Sequence, residues 1–224
     1  MLLTLNAVLK PDEVALARDW LAGVEFVDGK ASAGAAARRV KHNQEAARGT
    51  TALERLDQVV MGGLVRHPAY RNGALPLHAA TPLYIRYAPG MQYGEHLDDP
   101  IMGAGGVMYR SDVAITVFLS APEDYDGGEL VIRGAQGAQQ VKLPAGDAVL
   151  YPAGTLHHVN PVTRGARLVA VTWVQSLVRD PARRELLYGL NAAREKLLQQ
   201  APDAEETAQV NAAYLNLIRM WSDL

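Results

Sequence analysis

Residues 141–175, with the sequence VKLPAGDAVLYPAGTLHHVNPVTRGARLVAVTWVQ, are the stretch that decides the fold. Three short segments in it, at 141–143, 148–150 and 168–172, consist of alternating or β-branched residues, and turns rich in glycine and proline separate them. Such alternation has the period of two residues that is typical of a strand with one buried face. The stretch therefore predicts a series of short strands joined by tight turns.

The same pattern continues upstream as far as Pro82. Segments at 83–87, 113–119 and 130–132 alternate in the same way, and glycine-rich turns lie between them. Roughly eight short strands in about a hundred residues are typical of a double-sheet jelly roll, also called a double-stranded β-helix. We therefore predict a mainly β fold with flanking helices (α+β), built on a jelly-roll core.

Helical patterns flank the β region on both sides. Upstream, a broad apolar face begins at Pro11, and a second helix follows a capping box formed by Thr51 and Glu54. We expect residues 1–180 to form the jelly-roll domain with its N-terminal helices, and residues 181–224 to be a C-terminal helical extension of the same domain. The apolar face of the last helix would suit either the outer face of the sheet or a second copy of the chain in a homodimer.

The composition of the chain limits the classes of function. Its 24 acidic and 22 basic residues nearly cancel, so neither nucleic acid nor an anionic membrane is the expected partner. A small molecule, a peptide or a protein side chain is the expected substrate. The chain has no cysteine, which leaves imidazole and carboxylate groups as the metal ligands. The N-terminal residues lack a basic segment and the apolar stretches are too short to span a bilayer, so we expect a cytoplasmic location.

His96 and Asp98 form the first candidate pair of metal ligands. They lie two residues apart at the end of a predicted strand, and side chains at this spacing point to the same side. An imidazole and a carboxylate could then bind one ion. The tripeptide is short enough to occur by chance, so a surface histidine beside a turn aspartate is the alternative interpretation.

A second imidazole later in the β region favours the metal site. His157 and His158 are both candidates, but neighbouring residues on a strand point opposite ways, so only one of them can face the interior. Arg167, ten positions after His157, favours His157, because a guanidinium on the next strand could bind a carboxylate with two parallel hydrogen bonds. Two histidines and one carboxylate on a β scaffold form the facial triad of non-haem iron oxygenases, which leaves coordination positions open.

A longer set of residues resembles a known enzyme family. The set consists, in order, of Tyr87, Tyr93, His96, Asp98, Gly127-Gly128-Glu129-Leu130, Gly146-Asp147 and His157-x3-Pro161-Val162-x2-Gly165-x-Arg167. It is similar to the prolyl 4-hydroxylase branch of the Fe(II)- and 2-oxoglutarate-dependent dioxygenases, although that branch usually has a lysine in place of Arg167. The segments Val27-Asp28-Gly29 and Val40-Lys41-x-Asn43-Gln44, with the helical C-terminus, extend the resemblance to the bacterial PKHD-type hydroxylases along nearly the whole chain.

The resemblance implies both a site and a reaction. It implies that His96, Asp98 and His157 bind Fe(II), and that Arg167 binds the 5-carboxylate of 2-oxoglutarate. Tyr87 would also contact the co-substrate, unless it is a buried aromatic whose hydroxyl is bonded elsewhere. With O2, such an enzyme hydroxylates its substrate and releases succinate and CO2. L-Ascorbate is an optional further cofactor, and the subgroup is often associated with iron uptake.

The remaining polar residues near these motifs are expected to have lesser roles. We expect His158 to face outward or to support a ligand, and the side chain of Asp99 to point away from the metal. Whether Tyr93 contacts the co-substrate is left open. The residues read as solvated loop, packing or turn positions are Lys41, Asn43, Gln44, Thr155 and Trp173, of which the first three could instead line the substrate mouth.

A different class of function is a jelly-roll module that binds a structural metal or a sugar without catalysis. Arg167 argues against this class, because a binding module needs no dicarboxylate anchor beside an open metal site. A cupin-like enzyme with other metal chemistry is the third possibility. Such enzymes usually recruit more imidazoles, and only His96 and His157 are well placed here.

Overall fold

Two β-sheets pack face to face and form the frame of the chain. The computed structural model describes residues 1–104, 106–134 and 137–224. The helices are α1 (Pro11–Ala22), α2 (Ala35–Arg38), α3 (Thr51–Arg66), α4 (Pro68–Ala74), α5 (Pro181–Gln200) and α6 (Glu205–Trp221). The strands are β1 (Leu3–Leu5), β2 (Phe26–Asp28), β3 (Lys41–His42), β4 (Gln44–Ala46), β5 (Pro76–Ala79), β6 (Leu83–Tyr87), β7 (Gln92–His96), β8 (Ile101–Ala104), β9 (Val107–Arg110), β10 (Val113–Phe118), β11 (Tyr125–Gly127), β12 (Leu130–Gly134), β13 (Gly137–Val141), β14 (Ala148–Pro152), β15 (His157–Val159), β16 (Val162–Gly165) and β17 (Arg167–Ser176).

The strand order gives a larger and a smaller sheet. Among the described residues, the larger sheet has the order β1-β14-β10-β17-β6-β4-β2, and β5 also pairs with β17. The smaller sheet has the order β13-β12-β15-β7-β3. The strand pair β8 and β9 and the pair β11 and β16 stand apart from these sheets. The prediction of a mainly β fold of two sheets with flanking helices is confirmed.

Alternation along β17 separates the two layers of the core. Ala170 and Val174 pack on the side that faces the helices, whereas Val169 and Val171 face the space between the sheets. Arg167 has the same parity as this second group and is only 2% exposed. The period of two along the strand therefore places its guanidinium in the interior of the molecule.

The N-terminal helices α1, α3 and α4 contribute to the core on the outer side of the larger sheet. Leu56, Val60 and Leu64 form the apolar stripe of α3, and all three are fully buried in this core. The predicted cap of α3 is wrong by one residue. The hydroxyl of Thr50, not that of Thr51, accepts the hydrogen bond from the backbone N–H of the third helical residue at 3.3 Å.

The C-terminal helices α5 and α6 pack against each other, and α5 also contacts α4. A small core of Leu75, Val178 and Leu187 joins them to the end of β17. α5 begins directly after Asp180, whose carboxylate accepts a hydrogen bond from the backbone N–H of Ala182 at 2.8 Å. None of the described helices has the length and the apolar character that crossing a membrane requires. That residues 181–224 extend the same domain stays a prediction, as does the homodimer.

The segment from Lys41 to Ala46 links the two sheets. β3 pairs with β7 at the edge of the smaller sheet, and β4 pairs with β6 and β2 in the larger sheet. This double pairing buries Lys41, which is 5% exposed, and Asn43, which is 2% exposed. The expectation that these two residues occupy solvated loop positions is therefore wrong.

Candidate metal centre

Three side chains from two neighbouring strands of the smaller sheet converge on one point. His96 ends β7, Asp98 follows two residues later, and His157 begins β15. Strand pairing places His96 directly opposite His157. One ligand atom from each of the three side chains lies within 4.8 Å of the others. This arrangement of two imidazoles and one carboxylate is that of a facial triad for a divalent metal.

Hydrogen bonds from the main chain fix the orientation of both imidazoles. Nδ1 of His96 donates to the carbonyl of Gly94 at 2.8 Å, and Nδ1 of His157 donates to the carbonyl of Thr155 at the same distance. Because a carbonyl only accepts, each Nδ1 carries the proton and each Nε2 presents its lone pair. The sequence suggested only a turn or packing role for Thr155. In the structure its main-chain carbonyl accepts the hydrogen bond that orients His157.

Burial favours the neutral form of His96 and of Asp98. It lowers the pKa of His96 to about 3, and the nearby His157 acts in the same direction. The imidazole of His96 is therefore neutral at pH 7. Burial also raises the pKa of Asp98, which His157 and the indole of Trp173 oppose. A bound divalent ion would favour both the ionised carboxylate and the neutral imidazoles.

Arg167 is a buried cation that lacks an ion-pair partner. Its guanidinium lies 5.1 Å from the ring centre of Tyr87 and 5.5 Å from that of Phe118. No described residue accepts a hydrogen bond from its Nε, and no described carboxylate forms an ion pair with it. Tyr87 is buried beside it, and its hydroxyl accepts a hydrogen bond from Nδ2 of Asn43 at 3.0 Å. The phenol ring and its fixed hydroxyl thus form one wall beside the guanidinium.

One cavity of about 650 Å³ contains both the three converging side chains and Arg167. Its volume lies in the range of sites for small molecules, which is about 300–1,000 Å³. Tyr87 lines the same cavity. The structure therefore brings together all five residues that the sequence singled out for the metal and the co-substrate: His96, Asp98, His157, Arg167 and Tyr87.

Comparison with known proteins identifies the family. Residues 82–175 match the family model of the 2OG-Fe(II) oxygenase superfamily, and residues 181–223 match that of the PKHD-type hydroxylase C-terminal domain. A PKHD-type hydroxylase of Thioalkalivibrio sulfidiphilus is 50% identical over 224 residues, which are the whole of both chains. The chain belongs to the PKHD-type hydroxylases. A PKHD-type hydroxylase of Burkholderia ambifaria is 45% identical over 226 residues, again over the whole of both chains.

Membership of the PKHD-type hydroxylases makes this chain an oxidoreductase of the dioxygenase class, and the predicted resemblance is confirmed. The superfamily implies Fe(II) and 2-oxoglutarate, with O2 as the oxidant. The chemistry of the converging side chains fits this metal, since nitrogen and oxygen donors on a β scaffold suit non-haem iron.

Solved structures have the same fold at low sequence identity. A prolyl-4-hydroxylase of Pseudomonas putida matches with a TM-score of 0.53 and 21% identity, over 78% of this chain and 92% of that one. A prolyl hydroxylase of Trichoplax adhaerens, solved with a peptide of the hypoxia inducible factor, matches with a TM-score of 0.57 and 17% identity, over 83% of this chain and 86% of that one. The prediction that this chain has a jelly-roll fold is thereby confirmed.

Two residues near the candidate metal centre lie in positions that the sequence did not predict. Asp99 was expected to point away from the metal, but it lines the same cavity. Trp173, read as packing, also lines the cavity, and it has the same strand parity as Arg167. This parity was a signal that could have found Trp173. His158 faces the other way, where Nε2 lies 3.1 Å from Oδ1 of Asn160.

Tyr93 and the polar residues of β3 and β4 complete the surroundings. The ring of Tyr93 stacks on the imidazole of His96, with 3.6 Å between ring centres and an angle of 14° between planes. Lys41 lines the cavity, and its ammonium lies 5.4 Å from the ring centre of Tyr93. Gln44 is half-buried, and its Oε1 accepts a hydrogen bond from Nε of Arg86 at 3.0 Å. Of these, Tyr93 and Lys41 can reach a bound molecule.

Proposed function

We propose that the chain hydroxylates an organic substrate in a reaction that consumes 2-oxoglutarate and O2 and releases succinate and CO2. His96, Asp98 and His157 are the proposed Fe(II) ligands, and Arg167 is the proposed ligand of the far carboxylate of 2-oxoglutarate. The observation that carries the proposal is the unpaired guanidinium of Arg167, buried in the same cavity as the ligand triad. A cavity for a metal alone would gain nothing from a second, uncompensated cation.

Unsatisfied polar atoms support this fit. Among the described residues, Oδ2 of Asp98 and Nε of Arg167 are buried and make no well-formed hydrogen bond, although the indole of Trp173 lies near Asp98 and the hydroxyl of Tyr125 near Arg167. Each such group costs about 1–3 kcal/mol when it stays unsatisfied, and more when it is charged. A divalent cation beside the carboxylate and a dianion between that cation and the guanidinium would satisfy both charges together.

The protein's part in the reaction is to hold and orient these groups. When bound, Fe(II) with 2-oxoglutarate supplies the oxidising chemistry for insertion of oxygen into a C–H bond. The main-chain bonds of His96 and His157 keep their Nε2 lone pairs directed at one point. Arg167 holds the far carboxylate through a planar pair of N–H donors, which fixes the direction of the bound molecule. The buried walls, including Tyr87 and Tyr151, exclude water from the inner end of the cavity.

Anaerobic titration tests the proposal. Addition of Fe(II) and 2-oxoglutarate should give a visible charge-transfer band, and exposure to O2 should then give succinate without any added substrate. Asp98→Ala should abolish both signals. His158→Ala is the matched control, because its imidazole faces away from the cavity, and it should keep both signals. The absence of a band and of succinate in the wild-type protein would favour the non-catalytic binding module instead.

The same assay tests whether His157 or His158 is the second histidine ligand of the metal. If His158→Ala were inactive while His157→Ala kept the band, the proposed ligand set would be wrong.

The substrate is proposed to be a small molecule, a peptide or a protein side chain. A link to iron uptake, the use of L-ascorbate and a cytoplasmic location follow from the family resemblance or from the sequence, and they stay proposals.

A further inference from the structure

The outer part of the cavity has a wall that the proposed reaction does not explain. This wall includes Ala33, Gly34 and Ala37, together with Ile101 and Met102 of β8. These residues bind neither the metal nor 2-oxoglutarate in the proposed function. The space between them is therefore the place where the primary substrate would lie, and its chemistry should reflect the substrate.

The charges along the cavity balance except at one residue. This count rests on the proposed function, in which the two charges of Fe(II) and of 2-oxoglutarate cancel and Asp98 and Arg167 cancel each other. Nζ of Lys41 contacts Oε1 of Glu45 at 2.5 Å and Oγ of Ser32 at 2.7 Å, so this ammonium is neutralised within the protein. Asp99 is then the charged residue left over among the described residues that line the cavity.

Asp99 is a solvent-exposed residue at the cavity wall, where its carboxylate is available to a ligand. In the described part of the chain, its oxygens form no ion pair and accept no hydrogen bond. The carboxylate lies against Gly34, where an added Cβ atom would come within 2.7 Å of both of its oxygens. Glycine at this position therefore leaves room for the carboxylate at the cavity wall. In the sequence, Asp99 directly follows Asp98, one of the proposed metal ligands.

The surfaces around Asp99 suit a cation on an apolar stem. The ring of Tyr109 lines the cavity, together with the apolar side chains of Leu97 and Ile101. Aromatic faces attract ammonium and guanidinium groups, and aliphatic walls cover methylene groups. A single uncompensated carboxylate with such surroundings selects a positive charge and disfavours an anion.

We propose that the primary substrate presents an alkylammonium or guanidinium group to Asp99, with the C–H bond to be hydroxylated on the attached carbon stem. Asp99 is in this view a specificity-determining residue, since it binds the substrate and takes no part in the oxidation. A lysine-like or arginine-like side chain and a free amine share this chemistry. A substrate of negative charge would be repelled by this carboxylate, whereas a neutral one would gain nothing from it.

Matched probes of similar length test this inference by binding. The probes are Nα-acetyl-lysinamide, which is a cation, Nα-acetyl-norleucinamide, which is neutral, and the α-amide of Nα-acetylglutamate, which is an anion. Their dissociation constants are measured by NMR titration of the protein loaded with redox-inert Mn²⁺ or Zn²⁺ and 2-oxoglutarate. We expect the cation to bind about three- to tenfold more tightly than the neutral probe at low salt. This preference should shrink as the ionic strength rises.

Two variants separate Asp99 from a general effect of charge. Asp99→Asn keeps the shape of the side chain and should remove the preference for the cation. Glu95→Gln is the control, because Glu95 pairs on the surface with Arg133 at 2.6 Å and does not line the cavity. It should keep the full preference. Equal binding of the three probes to the wild-type protein, or a preference that survives Asp99→Asn, would overturn the inference. Failure of the wild-type protein to form succinate would instead count against the proposed function, and it is read in a separate assay.

Discussion

Replacing Arg167 with methionine should weaken binding of 2-oxoglutarate strongly and leave the empty protein at least as stable as the wild type. Methionine keeps the apolar stem in contact with the rings of Tyr87 and Phe118 but removes the charge. Truncating one partner of a buried charge pair costs about 2–5 kcal/mol. At about 1.4 kcal/mol per factor of ten, the dissociation constant should rise by about 30- to 4,000-fold.

The effect on thermal stability follows from the same numbers. Co-substrate at about 100 times its dissociation constant stabilises a protein by about 2.7 kcal/mol, which is a rise of about 5–11 °C in the Tm of a chain of this size. After a 100-fold loss of affinity, the same concentration stabilises by about 0.4 kcal/mol, or about 1–2 °C. Without co-substrate, Arg167→Met removes a buried cation whose Nε has no partner among the described residues. The Tm of the empty protein should therefore stay constant or rise by a few degrees.

Differential scanning calorimetry at a constant concentration of Mn²⁺, with and without 2-oxoglutarate, measures both effects. Arg164→Met is the control, because Arg164 is exposed and pairs with Asp126 at 2.7 Å. It should change neither the Tm nor the response to co-substrate. A full response to 2-oxoglutarate in Arg167→Met would refute the carboxylate-binding role. A large loss of stability in the empty variant would show that the guanidinium mainly holds the fold together.

Three further results are expected. Gly165→Ala should lower the free energy of unfolding by at least about 2 kcal/mol, measured in urea, because the residue has φ +70° and an added Cβ would meet a backbone carbonyl at 1.9 Å. The control Gly154→Ala, where nothing lies within 4 Å of the added Cβ, should stay within about 1 kcal/mol of the wild type. Lys41→Met leaves the carboxylate of Glu45 buried without its cation and should cost about 3–5 kcal/mol, most of which the double variant with Glu45→Gln should recover. Burial, with a neighbouring imidazole, lowers the folded-state pKa of His96 to about 3, so the metal-free protein should lose stability as the pH falls from about 6.5 towards 3, by up to about 1.4 kcal/mol per pH unit. His96→Gln should lack this part of the pH dependence, and equal slopes for the two proteins would contradict the shift.

The local parts of the fold and site were predictable from the sequence. The alternation that marks β17 is a property of adjacent residues, so it predicted a strand with Leu168, Ala170 and Thr172 on one face. In the structure, Leu168 and Ala170 face the helices, and Val169 and Val171 face the interior. The same rule limited the choice between His157 and His158 to one inward-facing residue. That choice stays a proposal, but the structure brings His157 opposite His96.

The parts that depend on distant pairing were not predictable from the sequence. Lys41 and Asn43 are buried because β3 joins one sheet and β4 joins the other, and nothing in the local sequence indicates this split. The expectation for Asp99 assumed that strand alternation continues beyond Asp98. β7 ends at His96, so the alternation no longer applies and both carboxylates reach the same cavity.

Hydrogen bonds from Nδ1 to main-chain carbonyls, that of Gly94 for His96 and that of Thr155 for His157, fix both imidazoles in one orientation. A centre whose ligands are held by the main chain in this way offers little discrimination among divalent ions of similar size. Nickel, copper and zinc bind such donors more tightly than iron does. Protein purified from ordinary growth medium should therefore contain a mixture of metals. Its rate of turnover in the cell would then depend on the supply of iron relative to that of the competing metals.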